Sequence, residues 1–396
     1  MKRLNRYSVH FASLLFTCLL CIPTKAVTSN DSIRNSLAGY LLNKEIPASL
    51  NATLSIRPVF QTHFNATQDD TKGAFRFDYL MLNLRGDITD KLAYYYTQRL
   101  HEGNRASTVE NLSKSINYAY IQYKFTPRLH TIVGKQAILY GGFEYYESPV
   151  DVFTYSTSNN YLSCYQIGLS LSYKANEQNE LCAQITNNRT ASMQETYGEL
   201  PDNIKGSSVP LLYSAGWNGS FINDKLQFRY AASAAEVAKG RWAFMIGSGQ
   251  QINLHPVSLY LDVLYQRSSI DYLGAVRELY VNNEGIQGAS GMQYVEYLTV
   301  VSKINLRLHS QWNIHLKGFY DQGSVYKEKG NIQKGKYLQC WCYEGGVEYY
   351  PLPKTDLYCF LNVSNKAYRQ TNKSNIITPD RETNLKLGFV YRIPLI

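Results

Sequence analysis

The sequence predicts an all-β chain, a transmembrane antiparallel β-barrel of about sixteen strands with short periplasmic turns and long extracellular loops. Three observations predict it. From about residue 49, apolar and polar residues alternate with a period of two, as in strands whose two faces meet different surroundings. The gaps between these segments are short and long in turn. Beyond the first 26 residues, no stretch approaches the roughly 18 unbroken apolar residues of a membrane helix. Composition is otherwise ordinary: 396 residues, 44% hydrophobic, mean hydropathy -0.31. Tyrosine stands out, at 34 residues against 15 Phe and 4 Trp. Its amphipathic ring suits membrane interfaces and polar pores alike.

In chain order, Lys2, Arg3 and Arg6 precede "FASLLFTCLLCIP" and a "TKA" ending at Ala26. A charged start, a short apolar core and a small-residue cleavage site predict a signal peptide over 1–26. Neither Cys18 nor Cys21 follows the small residue that lipid attachment needs, so plain export is expected. Residues 27–48 lack the two-residue period. There "IRNSLAGYLLNK" reads as a short amphipathic periplasmic helix that either plugs the barrel mouth or leads into it.

The barrel is expected over 49–396. "TLSIRPVFQTHF" puts Leu54, Ile56, Pro58, Phe60 and Phe64 on one face and Ser55, Arg57, Gln61 and His63 on the other. "CYQIGLSLSY" sets Ile167, Leu169 and Leu171 against Gln166, Gly168, Ser170 and Ser172. "KLQFRY", "VSLYLDVLYQR" and "WNIHLKGFY" repeat the pattern, with Arg229, Asp262, His315 and Lys317 on polar faces. In "TNLKLGFVYRIPLI", Leu385, Leu387, Phe389, Tyr391 and Ile393 alternate with Lys386, Gly388, Val390 and Arg392. About sixteen such segments occur, most about 9 to 14 residues long, near the ~10 that cross a bilayer at a tilt.

Alternation alone fits a soluble sandwich too; the gaps decide. "GDITD", "TPR", "ANEQ", "IND", "LHSQ" and "PLPKTD" are tight turns. Between them fall "NATQDDTKGA", "HEGNRASTVENLSK", "NRTASMQETYGELPDNIKGSS", "RSSIDYLGAVRELYVNNEGIQGASG", "DQGSVYKEKGNIQKGK" and "KAYRQTNKSNIITPDRE", with "EVAKG" the one short member of the long set. This parity is the bacterial outer-membrane pattern. The last strand then closes on the first near Leu54–Phe64, giving every backbone group a partner in hydrocarbon.

"RFDYLMLNLRGDITDKLAYYYTQRL", "INYAYIQYKF" and "VGKQAILYGGFEYYESPVDVFTYS" resemble the phosphate-selective porin O and P family, most clearly over residues 75 to 175 and in its Bacteroidetes-type members. The resemblance implies a sixteen-stranded diffusion channel, often a homotrimer, with the loop after the fifth strand, here about Ile138–Ser163, folded into the pore. The chain departs from the family in carrying Ile396 where a terminal aromatic is expected. The phosphate preference in the family's name belongs to some members only.

A pore acts through its lumen side chains and constriction. The polar faces nominate Arg57, Arg99, Lys124, Lys135, Arg229, Lys317, Lys386 and Arg392 as pore-lining bases, against the lumen acids Asp262, Glu344 and Glu348. A cationic wall attracts anions. In the loop, Gly141 and Gly142 permit the inward bend, Tyr145 and Tyr146 narrow the bore, and Glu144, Glu147 and Asp151 face the bases. That juxtaposition predicts a transverse field rather than a purely anionic filter.

Other classes fare worse. With Lys2, Arg3, Arg6 and Lys25 removed, 36 bases face 31 acids, a net +5, too weak to imply nucleic acid. The five remaining cysteines, Cys164, Cys182, Cys340, Cys342 and Cys359, are an odd number and predict strand thiols rather than a disulfide framework or metal set. No catalytic motif occurs and no cofactor is implied. The expectation is therefore an outer-membrane porin, not an enzyme, embedded in outer-membrane lipid and passing small hydrophilic solutes with mild anion preference. The alternatives are a scaffold binding partners through the loops around Tyr272–Tyr280 and Tyr326 and a barrel-embedded hydrolase using His130.

Overall fold

A computed structural model describes residues 50–65, 70–280, 291–352, 354–369 and 381–395. The expected signal peptide, the 27–48 segment and Ile396 lie outside them. The strands are β1 (Asn51–Asn65), β2 (Asp70–Asp87), β3 (Leu92–Arg99), β4 (Ile116–Thr126), β5 (Leu129–Ala137), β6 (Tyr165–Lys174), β7 (Asn179–Asn187) and β8 (Leu211–Phe221). They continue as β9 (Leu226–Ala238), β10 (Arg241–Leu254), β11 (Val257–Ile270), β12 (Gln293–His309), β13 (Trp312–Val325), β14 (Gly335–Tyr349), β15 (Leu357–Tyr368) and β16 (Arg381–Pro394). Each pairs antiparallel with its neighbours, and β16 returns to β1 to close the barrel. The closing register runs from Thr53↔Pro394 to Asn65↔Glu382.

The two-residue period sets the faces as expected. Leu169, Leu171, Leu259, Leu261 and Leu316 are exposed on the outer surface, where lipid rather than water meets them, whereas Gln166, Asp262, His315 and Lys317 are buried inside. One gap departs from expectation. "NATQDDTKGA" is largely strand, because β1 and β2 pair out to Asn65↔Asp70. Its polarity misleads, since a hairpin rising past the hydrocarbon layer meets water on both faces and needs no apolar residues.

The cysteines also acquire positions. Cys340 and Cys342 share a buried face of β14, but the register sets Cys340 opposite Tyr368 and Tyr349 opposite Cys359. Cys359 therefore sits at the other end of the strand pair. All five thiols are free.

The interior is filled on one side. Ile138, Tyr140 and Phe143 of the loop after β5 pack with Tyr197, Leu273 and Val276 of two other long loops against Met245, Tyr260, Tyr297, Phe319 and Leu338 of β10–β14. Each large side chain so buried contributes about 1.5–3 kcal/mol. A smaller cluster joins Val150 and Phe153 to Val59, Tyr358, Phe360 and Val390 of β1, β15 and β16. The space along β1–β6 stays open.

Candidate functional site

The loop between β5 and β6 lies inside the barrel, packed against its inner wall. Gly141 and Gly142 adopt φ of 76° and 82°, a region that costs glycine nothing, and turn the chain onto the wall. There the backbone of Gly141 meets that of Gly247 so closely that a Cβ on Gly247 would overlap the Tyr140 carbonyl. A single turn of 3-10 helix (Glu144–Tyr146) and a short helix α1 (Thr157–Tyr161) complete the loop.

Wall side chains of β1, β11–β13, β15 and β16 hold it. Asp262 on β11 accepts from the Phe143 and Glu144 amides, both at 2.7 Å. Glu144 is fully buried and meets Lys317 on β13 at 2.6 Å, with further bonds from the Ser156 amide and hydroxyl and from Asn159. Glu147 pairs with Lys303 on β12 at 2.8 Å. Further round the wall, Arg57 on β1 donates to the Val150 and Val152 carbonyls at 2.8 and 2.9 Å. Lys386 reaches Asp78 at 2.7 Å and the Phe153 carbonyl at 3.3 Å. Asp151 pairs with Arg392 and accepts from Tyr358. Asp321 accepts from the Thr157 amide at 2.8 Å, and Phe153 stacks on His315 with centroids 5.3 Å apart.

The nominated residues thus separate into three groups. Arg57, Lys317, Lys386 and Arg392 touch the loop, and Arg229 lies over the Phe143 and Tyr146 rings at 4.8 and 5.1 Å. Arg99 at the end of β3 and Lys135 on β5 instead hold the β3–β4 loop: Lys135 is buried against Glu110 at 2.9 Å and Arg99 pairs with Glu102. Lys124 is exposed, two residues before the turn bond at Thr126. Of the lumen acids, Asp262 seats the loop, while Glu344 and Glu348 flank His315 at 3.8 and 3.4 Å. The acids and bases around the loop are in contact rather than facing one another across a bore, so the expected transverse field is largely cancelled in pairs. Asp78, Lys303 and Glu110, which complete these pairs, and Asp321, which holds the Thr157 amide, drew no attention in the sequence; each sits on a polar strand face or in a polar loop like many others.

Two voids flank the loop on its open side. One, about 820 Å³, lies at the short-turn end and is lined by β1–β4, the Tyr145–Pro149 stretch, Lys354, Asp356, Tyr391 and Arg392. The other, about 350 Å³, lies toward the long loops and is lined by Tyr79, Arg99, Lys114, Lys135, Tyr155 and Asn159, among others. Asn117, Tyr145, Pro149 and Tyr165 line both, so the two voids lie on either side of these residues. A third void of about 500 Å³, lined by Tyr146, Arg229 and the β6–β7 and β8–β9 turns, opens at the short-turn end.

The alternative sites gain little. Tyr272 bonds the Asn188 carbonyl inside the loop packing, and Tyr326 lies under Arg267. His130 is register partner to Ser172, whose hydroxyl lies 3.3 Å from the Cys182 sulfur. Among the described residues no metal-holding group of His, Cys, Asp and Glu occurs.

A family model described as phosphate-selective porin O and P matches residues 55–393. Among solved structures, the chain resembles the outer-membrane channel DcaP of Acinetobacter baumannii, at 12% identity and TM-score 0.59 over 88% of this chain and 99% of that one. It also resembles an anion-selective porin from Comamonas acidovorans, at 9% identity and TM-score 0.55 over 87% and 99%. A trimer form of OmpT from Vibrio cholerae matches at 9% identity and TM-score 0.51 over 87% and 99%. At these identities the likeness is one of fold. No curated protein sequence matches the chain.

Proposed function

The chain belongs to the phosphate-selective porin O and P family of the bacterial outer membrane, and from that premise we propose that it is a passive diffusion pore for small hydrophilic solutes with a mild preference for anions. The supporting observation is the passage beside the loop. Its long-loop void is lined by Arg99, Lys114 and Lys135, with no carboxylate among the lining residues. Arg99 and Lys135 are paired with Glu102 and Glu110 just behind the lining, so Lys114 carries the excess charge there, and solutes entering meet a weakly positive potential that raises local anion concentration only mildly. Deeper in, the bases that touch the loop are matched by carboxylates or loop carbonyls, so anions gain no strongly binding cluster. Phosphate is accordingly read as one permeant anion among several. The trimer form known for one structural relative supports a homotrimer for this chain as well.

Reversal potential in a planar bilayer under a salt gradient tests the reading. A modest anion-sided potential is expected, and Arg99→Ala should move it toward zero. Cation selectivity, or no conductance from a folded barrel, would refute it. Block by phosphate at low concentration would replace it with a phosphate-specific channel.

A further inference from the structure

We propose that the passage beside the constriction loop is a tyrosine-lined slot that recognises carbohydrate rings. The inference rests on the diffusion-pore reading and names the solute class that the pore favours.

Of the eight tyrosines that line the two voids, six follow the passage: Tyr95 and Tyr118 in the lower void, Tyr145 and Tyr165 in both, and Tyr79 and Tyr155 in the upper one. All six are half-buried, so the barrel presents part of each ring to the passage. Several form a continuous surface. The Tyr95 and Tyr118 centroids are 5.0 Å apart, and those of Tyr118 and Tyr165 are 4.9 Å apart. The hydroxyls of Tyr95, Tyr118, Tyr155 and Tyr165 take no partner among the described residues.

Amides stand between the rings. Asn117 lines both voids and Asn159 lines the upper one. They are 2% and 5% exposed, and each keeps a side-chain oxygen that no protein donor reaches. Both oxygens lie just beneath the void surface with essentially no accessible area, so a solute hydroxyl meets them only after a small turn of the amide; a buried acceptor left unmet is costly, and a donor-rich solute relieves the cost.

Partly exposed rings, unpartnered phenol hydroxyls and unpartnered amide oxygens match one chemistry. A pyranose offers C–H groups on its face and hydroxyls around its rim. The face packs on an aromatic ring, and the hydroxyls donate to the amides and phenols. A small inorganic anion uses neither feature. A flat aromatic solute uses the rings and leaves the acceptors unmet. The paired charges at the constriction fit a solute without net charge.

The test uses the purified mature protein in a planar bilayer with a linear glucose hexasaccharide added to one side. Brief current interruptions that vary little with voltage are expected. Tyr118→Leu and Tyr165→Leu should shorten them about fivefold each, the scale of a lost aromatic contact, whereas Tyr118→Phe should keep most of the dwell time. Tyr343→Leu, on the exposed outer face of β14, should change nothing. If conductance persists but the sugar gives no interruptions, or none beyond those of a polyethylene glycol of equal size, the inference fails and the pore reading stands. Interruptions by a planar aromatic probe but not by the sugar would also overturn it. If the barrel does not conduct, the pore reading fails. Calorimetry with the same sugar in detergent then decides the slot, supported by heat that Tyr118→Leu abolishes and overturned by none.

Discussion

Replacing Lys317 by Met removes the ammonium 2.6 Å from Glu144 and leaves behind a carboxylate with no solvent exposure. The Ser156 and Asn159 donors remain, but hydrogen bonds alone do not offset a buried charge. Breaking a buried pair from one side costs about 3–5 kcal/mol. The barrel wall closes through its own backbone ladders, so the cost falls on the seating of the loop. Local opening of residues 156–162 then becomes roughly 10²–10⁴ times more populated. Hydrogen exchange read by mass spectrometry on the detergent-solubilised protein should report that factor at the Asn160 and Leu162 amides, which bond to Ser156 and Ser158. The β12–β14 ladder amides should keep their protection. Adding Glu144→Gln removes the stranded charge, and the double variant should regain much of the protection, with a coupling of at least about 1 kcal/mol. Unchanged exchange in the single variant, or a double variant that exchanges no more slowly, would refute the reasoning.

Two further predictions concern the seating of the loops. Gly247→Ala places a Cβ against the Tyr140 carbonyl, so the loop should lift from the wall and single-channel conductance should become larger and noisier; a conductance equal to wild type would show that the wall yields there. On the long-loop side, Ser192 caps the short helix Met193–Tyr197 in a capping box with Glu195, which also bonds Thr108. Bonds from the Ser192 backbone and side chain and from Thr108 hold the Glu195 carboxyl down to about 2 from 4.5. A depressed carboxyl stabilises above its unfolded value and loses that contribution as pH falls through its folded value. Protection of the Ser192 and Glu195 amides, corrected for intrinsic exchange, should hold at pH 5 and decline between about pH 4.5 and 2, and Thr108→Val should raise the pH of that decline.

The wall was legible in the sequence because lipid and water impose a period of two on every strand, and turn lengths carry the polarity of the barrel. Gly141 and Gly142 were legible as a bend for the same local reason. The partners of the charges were not. Arg57 and Val150 are 93 residues apart, and Asp151 and Arg392 are 241 apart; nothing in either neighbourhood marks the other. Reading each polar-face base as pore-lining therefore identified Arg57, Lys317, Lys386 and Arg392 as inward-facing without revealing that they are engaged. The extended β1–β2 hairpin was hidden because outside the hydrocarbon layer a strand need not alternate.

The loop also changes the mechanics of the cylinder. Its clamps reach β1 and β16 through Arg57, Lys386 and Arg392 and, past β15 and β14, β13, β12 and β11 through Lys317, Lys303 and Asp262. A hollow sheet one strand thick ovalises easily under lateral load. A strut tied between two arcs of its wall resists that deformation there, because flattening this part of the wall must stretch or break ion pairs at one arc or the other. The cross-section left for traffic is then set by the strut and by one stiffened arc of wall, and not by the tension of the surrounding membrane.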